Sequence, residues 1–528
     1  VIDHPARLLE IVASSVNGAG ASDSGAWQRL AEEVTDSVLN ESLTQAAHER
    51  THARVRDALE RQEAAGLRNV IRELGPAPDG ALFLDQWAAT GHPLHTVPKT
   101  RLGLDPGDAL SLLPEFHPTV PVRLAAVRRD RICAELPGHG QRLGAWFTGE
   151  YPDWMDAWRG RLEDQGRDAD VYEPFPVHPW QAEQVLPEML REALARGEVA
   201  LLNGPVLPML PCLSVRSLVP ARVPGGTGFK LALGVRLTSG VRTITPRSCH
   251  MGRRVSRLLN HIFEQDAGFG GRAIGIEEIL GAHYRTPNEL PDVEKHLSFI
   301  ARESVSRHLA TGEIAAPVAA LGEPFPDDGL PLLLGLMAPV ASDSTDGLGR
   351  FEAYAEAYLG VILRTYLVYG IALEAHGQNV LACFDEQGGL TKFLLRDFAG
   401  IRIHEPTLKR LGIGLEVHPD RRTVVQSFDD HRFWLRHRAY HCHLGHIAYG
   451  LAAATGVSER RYWRCVGDVT ARVFDRLRGE GDPAHWARER RALLDDDWEA
   501  KASLRMRLAD QVRDLAFIAP NPFMLPDG

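Results

Sequence analysis

The sequence lacks the signatures of several common protein classes. Its 528 residues include six cysteines, none of them in a C-x-x-C pair, which argues against a zinc ribbon and a disulfide scaffold. No P-loop, no G-x-S-x-G elbow and no C-x-x-C beside a histidine occurs, so P-loop, serine-hydrolase and thiol-redox chemistry have no support. The longest apolar stretch, at 330–341, is too short to span a bilayer and is interrupted by Gly335 and Pro339.

The chain also lacks an excess of positive charge. Its net charge is −10 and its pI about 6.1, which gives no reason to expect nucleic acid or an anionic membrane as a partner. The first residues show no basic flank followed by an apolar run, so we expect no signal peptide and a cytoplasmic protein. An acidic protein that binds anions must gather its cations locally, which makes basic clusters in the middle of the chain informative.

The hydrophobic patterns predict three parts of different character. Residues 26–75 repeat apolar positions at helical spacing, whereas 80–180 are rich in proline, glycine and histidine. A long helix is predicted at Phe351–Leu373, followed by a hairpin of Val380–Phe384 and Leu390–Leu395. We expect an α+β protein with a helical part at 1–150, a sheet-rich part at 151–345 and a mainly helical part at 346–528.

A predicted strand at 229–238 collects positive charge on one face. It alternates apolar with polar or small residues, and Ser239-Gly240 can turn the chain into a partner strand at 241–245. The polar side chains of this hairpin and of a short strand before it are Ser214, Arg216, Lys230, Arg236, Thr238 and Arg242. Because arginine binds polyphosphate or polycarboxylate oxygens in a forked geometry, this face suits such an anion. A solvated outer face of a sheet is the alternative, and the small residues beside the charges favour the ligand.

A polar loop and a hairpin in the last part bring together possible magnesium ligands. The loop Glu374-Ala375-His376-Gly377-Gln378-Asn379 precedes the hairpin, and Arg396-Asp397-Phe398-Ala399-Gly400 follows it. Protein kinases hold Mg²⁺ with an Asn and an Asp in this order, and Asn379, Asp397 and Glu374 fit that role. A short linker with a capping Asn explains the loop equally well. No H-R-D motif and no glycine-rich nucleotide loop is recognisable, which argues against a protein kinase and leaves a more distant kinase-like ATP cradle open.

Several histidines admit both functional and structural explanations. His376 could donate to a carboxylate or stabilise a leaving phosphate, although a lone histidine is more often structural. His95 and Lys99 lie in a proline-framed segment, 91–101, for which a rigid connecting loop is the plainer explanation. The group His437, His441, His443 and His446 has no H-E-x-x-H pattern within it, and we favour packing or a surface cluster over a metal site.

Taken together, these segments resemble the NRPS-independent siderophore synthetases, the family typified by the aerobactin synthetases. The matching segments are G-H-P-L-H-x-x-P-K at 91–99, H-P-W-Q at 178–181, S-V-R-S at 214–217, K-x-x-x-x-x-x-x-T-S-G-V-R at 230–242, E-A-H-G-Q-N at 374–379, R-D-F-A-G at 396–400, and Lys501 with Met506-Arg507-Leu508 and Asn521-Pro522. Segments in one common order are far more specific than any of them alone. Thr96 stands where the family usually has Pro, and Ser217 where it often has Thr.

The resemblance implies a nucleotide site built from these segments. The residues that would bind ATP are His95, Lys99, Ser214, Arg216, Ser217, Lys230, Arg242, Gln378 and Asn379. Those that would face the substrate carboxylate are Thr238, Arg242, His376 and Lys501, and those that would hold Mg²⁺ are Glu374, Asn379 and Asp397. The family fold is likened to a cupped hand with a helical thumb, sheet-bearing fingers and a kinase-like palm, and its members are commonly homodimers.

The activity that the resemblance implies is ATP-dependent siderophore synthesis. A carboxylate of citrate, of a related polycarboxylate or of its monoamide would be adenylated, and the product condensed with an amine, hydroxylamine or alcohol. Arg242, Lys230 and His376 would be the catalytic residues, since negative charge develops where ATP is attacked. A kinase-like small-molecule phosphotransferase and a non-catalytic binding protein for polycarboxylate siderophores are the alternatives.

Overall fold

The computed structural model describes residues 4–17, 24–61, 66–75, 80–91, 94–138, 140–222, 225–237, 240–326, 328–339, 347–510 and 515–525. Over these residues the chain is an α+β structure, as expected, and its largest sheet is formed by strands between residues 120 and 302. No helix of this described part is both long enough and apolar enough to cross a membrane.

The first part of the chain is mainly helical to residue 112, apart from the short strand at Arg101–Leu102, and then enters the large sheet. Its elements are α1 (Pro5–Asn17), α2 (Ser24–Arg61), α3 (Gly66–Leu74), α4 (Ala81–Trp87), β1 (Arg101–Leu102), α5 (Pro106–Leu112), β2 (Val120–Arg128), β3 (Ile132–Glu135), α6 (Leu143–Glu150) and α7 (Pro152–Asp164). On α2 the apolar residues at helical spacing form the buried face, where Leu30 and Val34 pack with Val97.

The middle part carries most of the strands. Its elements are β4 (Tyr172–Val177), α8 (Pro179–Gln184), α9 (Leu186–Met189), α10 (Arg191–Ala195), β5 (Val199–Ala200), β6 (Val206–Pro211), β7 (Ser217–Pro220), β8 (Gly228–Leu231), β9 (Leu233–Leu237), β10 (Gly240–Arg242), α11 (Pro246–Gln265), β11 (Ala273–Gly275), β12 (Glu278–Tyr284), α12 (Pro291–Glu294), β13 (Ser298–Arg302), β14 (Ile314–Pro317), α13 (Val318–Leu321) and α14 (Leu332–Leu336). Helix α11 begins where Thr245 Oγ1 accepts the Ser248 N–H and Pro246 occupies the first turn.

The last part is mainly helical and contains the predicted hairpin. Its elements are α15 (Gly347–Tyr369), β15 (Ile371–Ala372), β16 (Val380–Phe384), β17 (Leu390–Leu395), β18 (Arg402–His404), α16 (Glu405–Arg410), β19 (Val424–Val425), α17 (Asp429–Leu435), α18 (His446–Thr455), α19 (Glu459–Arg476), α20 (Pro483–Leu494), β20 (Trp498–Lys501), α21 (Ser503–Leu508) and β21 (Ala516–Ala519). A π-helical turn at Arg436–Gly445 joins α17 to α18. Strands β16 and β17 have the predicted bounds and pair antiparallel, which confirms the hairpin.

The largest sheet has nine strands and is antiparallel throughout. Its order is β3-β12-β13-β8-β7-β6-β2-β4, with β5 paired to β2. Strands β2 and β3 precede residue 150 and their partners follow it, so the boundary expected near 150 falls within one continuous sheet. The division into thumb, fingers and palm stays a prediction.

The single strand predicted at 229–238 is instead two strands in different sheets. β8 ends at Leu231 within the nine-stranded sheet, and β9 begins at Leu233 in a three-stranded sheet of order β1-β9-β10. The prediction that Lys230 and Arg236 share one face of a strand is therefore wrong, because the backbone leaves the large sheet between them. The pairing of the return strand is confirmed, since β10 pairs antiparallel with β9, but the strand ends at Arg242 and does not extend to residue 245 as predicted.

Candidate active site

A cleft of about 430 Å³ opens where strands β7 to β10 meet the loops that flank the β16–β17 hairpin. This volume lies within the range of small-molecule sites. The charged and polar residues that line it include Lys99, Arg101, Glu115, Ser214, Arg216, Lys230, Arg242, Glu374, His376, Gln378, Asn379 and Asp397. Basic residues from the middle of the chain and oxygen donors from the last part thus share one cleft.

Lys230 and Asp397 form the central contact of this cleft. The buried Lys230 ammonium group donates to Asp397 Oδ1, and Arg302 Nη2 lies 3.9 Å from Oδ2 of the same carboxylate. Burial alone would raise the pKa of Asp397, but Lys230 and Arg302 outweigh it and hold that pKa well below its usual range. Asp397 has a φ of 68°, a left-handed conformation that is uncommon in non-glycine residues, although Asp adopts it more readily than most.

The short strand predicted to carry Ser214 and Arg216 is instead a tight turn before β7, and this turn presents their hydroxyl and guanidinium groups. Val215 has a φ of 27°, which is strained for a β-branched residue, and Ser214 Oγ lies 3.2 Å from Ser217 Oγ. The Arg216 guanidinium donates to the carbonyl oxygens of Arg242 at 2.7 Å and Thr243 at 2.6 Å. Burial lowers the pKa of Arg216 to about 10, so it stays charged at neutral pH. This turn therefore fixes the backbone that carries Arg242.

Contacts within the loop at 374–379 and an ion pair to the rest of the protein hold this loop in place. Asn379 Nδ2 donates to the Glu374 carbonyl at 3.2 Å and lies 3.3 Å from His376 Nε2. The Glu374 carboxylate lies 2.9 Å from Arg438. A Cβ on Gly400 would lie 1.9 Å from that carboxylate, so a larger residue there would displace the end of the Glu374 side chain. Carboxylate and amide oxygens are the ligands that Mg²⁺ prefers, and the set Glu374, Asn379 and Asp397 fits the ion on that ground.

Arg396 was missed as a site residue although it precedes Asp397. Its buried guanidinium binds Asp85 of α4 with two hydrogen bonds, of 2.8 and 2.6 Å, and also donates to the Gln378 carbonyl. It therefore fixes the loop at 374–379 against the N-terminal part. The charged residue directly before the Asp in R-D-F-A-G was the available signal.

Arg302 and Glu278 were also missed and lie behind the Lys230–Asp397 pair. Glu278 is fully buried, and its Oε1 lies 3.3 Å from Arg302 Nη2. Burial raises the pKa of Glu278, and the charges of Arg302 and Lys230 oppose that rise. An arginine directly after the apolar run Phe299-Ile300-Ala301 is the sequence signal that could have found Arg302.

Some predicted site residues lie outside the cleft or are already bound to another side chain of the protein. Lys99 lines the cleft, but its ammonium group binds Glu115 Oε1 at 3.0 Å. His95 Nδ1 accepts the Val97 N–H, and His95 is not among the lining residues. Lys501 ends β20, near Cys442 at the cleft edge, where its charge opposes the rise that burial causes in the Cys442 pKa. Thr238 lies outside the described residues.

The histidines at 437–446 make separate packing contacts. His443 Nδ1 donates to the Ala375 carbonyl at 3.1 Å, and its ring stacks on Tyr358 with centroids 3.6 Å apart. His446 Nε2 donates to the Ala319 carbonyl at 2.9 Å. His443 therefore supports the loop at 374–379 directly, and His446 supports it through Ala319, whose N–H donates to the Gly377 carbonyl, in line with the packing explanation favoured above.

An H-E-x-x-H segment lies elsewhere, at His48–His52 on α2. The ring of His52 stacks on Trp87 with centroids 4.7 Å apart, and His48 lies 5.9 Å from the same ring. Within the described ranges these histidines belong to no group of three converging ligands. Their rings pack against an aromatic side chain.

A second, smaller cavity of about 100 Å³ adjoins the cleft and shares Lys230 with it. Its apolar lining includes Leu218, Val219, Pro220, Phe229, Ile276 and Val305. Ser217, which the resemblance assigned to ATP, lines this cavity and pairs with Lys230 across β7 and β8.

Comparison with known proteins shows similarity along nearly the whole chain. A model described as the IucA / IucC family matches residues 80–323, and one described as a ferric iron reductase FhuF-like transporter matches 351–516. Protein y4xN of Sinorhizobium fredii (strain NBRC 101917 / NGR234) is 32% identical over 533 residues, covering 99% of this chain and 84% of that protein. D-ornithine–citrate ligase of Staphylococcus aureus (strain NCTC 8325 / PS 47) is 24% identical over 544 residues, covering 98% of this chain and 79% of that protein.

A solved structure shows the same fold. The ATP-bound aerobactin synthetase IucA from a hypervirulent pathotype of Klebsiella pneumoniae matches with a TM-score of 0.75 at 22% identity, covering 98% of this chain and 86% of that chain. The fold and the matched relatives define the class as siderophore synthetases. This chain belongs to the IucA / IucC family of NRPS-independent siderophore synthetases, which confirms the resemblance described from its motifs.

Proposed function

We propose that this protein adenylates a carboxylate of citrate, of a related polycarboxylate or of its monoamide, and condenses it with an amine, hydroxylamine or alcohol. The observation that carries the proposal is the single cleft that Arg216, Lys230 and Arg242 share with Glu374, Asn379 and Asp397. The matched S. aureus protein is a D-ornithine–citrate ligase, and the matched K. pneumoniae structure is ATP-bound, which supports both the acid and the nucleotide.

The cations of the cleft suit a triphosphate. Arg216, Lys230 and Arg242 are buried or half-buried, and the attraction of such partly desolvated cations to phosphate oxygens is stronger than that of fully exposed ones. The apolar second cavity would take the base, since it adjoins the cleft at Lys230. Glu374, Asn379 and Asp397 would hold Mg²⁺, which when bound neutralises phosphate charge.

The reaction has two balanced steps. A carboxylate oxygen attacks the α-phosphorus of ATP, the bond to the β-phosphate oxygen breaks, and acyl adenylate and pyrophosphate form. The amine nitrogen or alcohol oxygen then attacks the acyl carbon, AMP leaves, and the nucleophile loses a proton. Arg242 would offset the charge that develops at the α-phosphate, and His376 would orient the attacking carboxylate.

Two further features belong to this proposal. The helical first part, the nine-stranded sheet and the mainly helical last part would correspond to the thumb, fingers and palm of the family. The active form would be a homodimer with no nucleic-acid or membrane partner.

Pyrophosphate release, measured across citrate, succinyl-amines, α-ketoglutarate and citryl monoamides, tests the proposal. We expect at least one acid to give AMP and pyrophosphate, and Arg242→Ala and His376→Ala to lower the rate by on the order of 100-fold. Arg236→Ala is the matched control, because Arg236 lies on the adjacent strand β9 and binds Glu33 and Asp510 outside the cleft.

The products distinguish this activity from its rivals. ADP in place of AMP and pyrophosphate would indicate a small-molecule phosphotransferase. Binding of a polycarboxylate siderophore without ATP consumption would indicate a binding protein. Wild-type rates in both Arg242→Ala and His376→Ala would contradict the assignment of these residues.

A further inference from the structure

A cysteine and two histidines converge at the edge of the nine-stranded sheet, outside the two cavities described above. Cys133 lies on the edge strand β3, and His283 lies directly opposite it on β12, in register. His250 projects from α11, which packs over these strands. One donor atom from each of the three side chains lies within 4.8 Å of the other two.

The distances suit tetrahedral zinc. Cys133 Sγ lies 3.5 Å from His250 Nε2. Zinc bond lengths of about 2.3 Å to sulfur and about 2.05 Å to nitrogen place two tetrahedral donors about 3.5 Å apart. Two donor atoms at the 4.8 Å limit would have to approach each other by little more than about 1 Å to reach that spacing. Rotation of the side chains can supply such a shift.

Each imidazole ring has an oxygen atom behind its Nδ1, as zinc-binding histidines usually do. His283 Nδ1 lies 3.1 Å from the Tyr284 carbonyl and 3.7 Å from the Glu294 carboxylate. His250 Nδ1 lies 3.5 Å from Glu135 Oε2. An N–H at Nδ1 in each ring leaves the lone pair on Nε2, and a carboxylate or carbonyl behind the ring is the typical support of a zinc-binding histidine.

Local packing explains why the helix comes so close to the strands. Gly281 lies two residues before His283 on β12, on the same face of the strand. A Cβ at Gly281 would lie 2.1 Å from the Cys249 carbonyl oxygen, so the absence of a side chain lets the turn of α11 that carries His250 approach.

We propose that Cys133, His250 and His283 bind Zn²⁺ and tie helix α11 to the edge of the nine-stranded sheet. A thiolate and two imidazoles are borderline-soft donors that suit zinc. His418 stacks on His250 with centroids 5.5 Å apart, and its Nδ1 accepts the Asp420 N–H, so it restrains the His250 ring from the side. The proposal needs no catalysis, so it stands or fails apart from the proposed function.

Titration of the full-length protein with Co²⁺, after removal of metal by a chelator, tests the site. We expect one equivalent to bind, with a thiolate-to-cobalt charge-transfer band and the strong d–d bands of tetrahedral cobalt, and Zn²⁺ to displace it. Of the six cysteines only Cys133 is not buried, so one thiol accounts for the band. Cys133→Ser should abolish it, whereas His261→Ala, an exposed position on the same helix, should keep it.

Two further measurements separate a built site from a chance cluster. Glu135→Gln should keep one equivalent of Co²⁺ but weaken its affinity about 10- to 100-fold, since the carboxylate behind His250 is lost. Zn²⁺ should raise the Tm of the wild type and of His261→Ala but not of His250→Ala. Any of three results would overturn the proposal: the wild type shows no thiolate band, the spectrum of Cys133→Ser is unchanged, or the Tm of the wild type does not rise with Zn²⁺.

Discussion

Lys230 and Asp397, 167 residues apart in the chain, meet in one ion pair, in which Lys230 is buried and Asp397 half-buried. Lys230 belongs to β8 of the nine-stranded sheet, and Asp397 follows the β16–β17 hairpin of the last part. The pair therefore connects the anion-binding strands to the loops that carry the proposed magnesium ligands. It also links the stability of the fold to the chemistry of the cleft, because each group needs the other's charge when no ligand is bound.

Replacement of one member of this pair should cost more stability than replacement of both. Asp397→Asn leaves the buried Lys230 ammonium group without its counter-charge, and we expect the free energy of unfolding to fall by about 3 kcal/mol. Lys230→Met with Asp397→Asn should recover most of that loss. Urea unfolding of the two single variants and the double variant measures the coupling, and strictly additive effects would contradict a direct ion pair.

The sequence patterns predicted which residues line the cleft better than they predicted the strands that carry those residues. Lys230, Arg242, Asn379 and Asp397 lie in local motifs whose order was recognisable, and the hairpin between two of them has short-range signals. The break between β8 and β9 had no such signal, because β8 is buried on both faces and its alternation does not say which sheet the next residues join.

Contacts between distant segments were beyond the sequence patterns. Asp85 and Arg396 are 311 residues apart, and neither stands in a periodic pattern that points to the other. The convergence of Cys133, His250 and His283 likewise depends on strand register and on how closely α11 packs, which spacing along the chain does not encode.

The buried His178 should make stability depend on pH. Its side chain is fully buried, and burial lowers its pKa from 6.5 to about 3. Between these values the unfolded chain binds a proton that the folded protein does not, so stability is lost as the pH falls below 6.5. This histidine should contribute a slope of up to about 1.4 kcal/mol per pH unit.

Chemical unfolding of His178→Leu between pH 7 and pH 4 measures that contribution. The variant should show a shallower loss of stability on acidification than the wild type, while His261→Leu on the exposed face of α11 should follow the wild-type curve. Parallel curves for the wild type and His178→Leu would show that His178 is protonated in the folded protein.

Gly281→Ala should destabilise the contact between α11 and β12. The added methyl group would meet the Cys249 backbone, which cannot rotate away as a side chain does, and we expect a loss of about 1–3 kcal/mol. Gly160→Ala is the matched control in the interior of α7, where a Cβ has no neighbour within 4 Å and should instead stabilise by about 1 kcal/mol. Equal Tm values for the two variants would contradict the close packing at Gly281.

Arg396→Lys should impair ATP binding and turnover, although Arg396 itself does not contact the reacting groups. Lysine cannot reproduce the two hydrogen bonds to Asp85 together with those to the Gln378 carbonyl, so the loop at 374–379 should lose its anchor to α4. We expect KM for ATP to rise and kcat to fall, because the loop positions Asn379 and His376.

The control variant for Arg396→Lys weakens a similar ion pair in another part of the fold. Arg364 binds Asp266 with two hydrogen bonds, of 2.6 and 2.7 Å, and lines neither cavity. Arg364→Lys should lower Tm while leaving kcat and KM near wild type. If Arg396→Lys changes Tm alone, as the control does, then Arg396 supports the fold and does not position the loop.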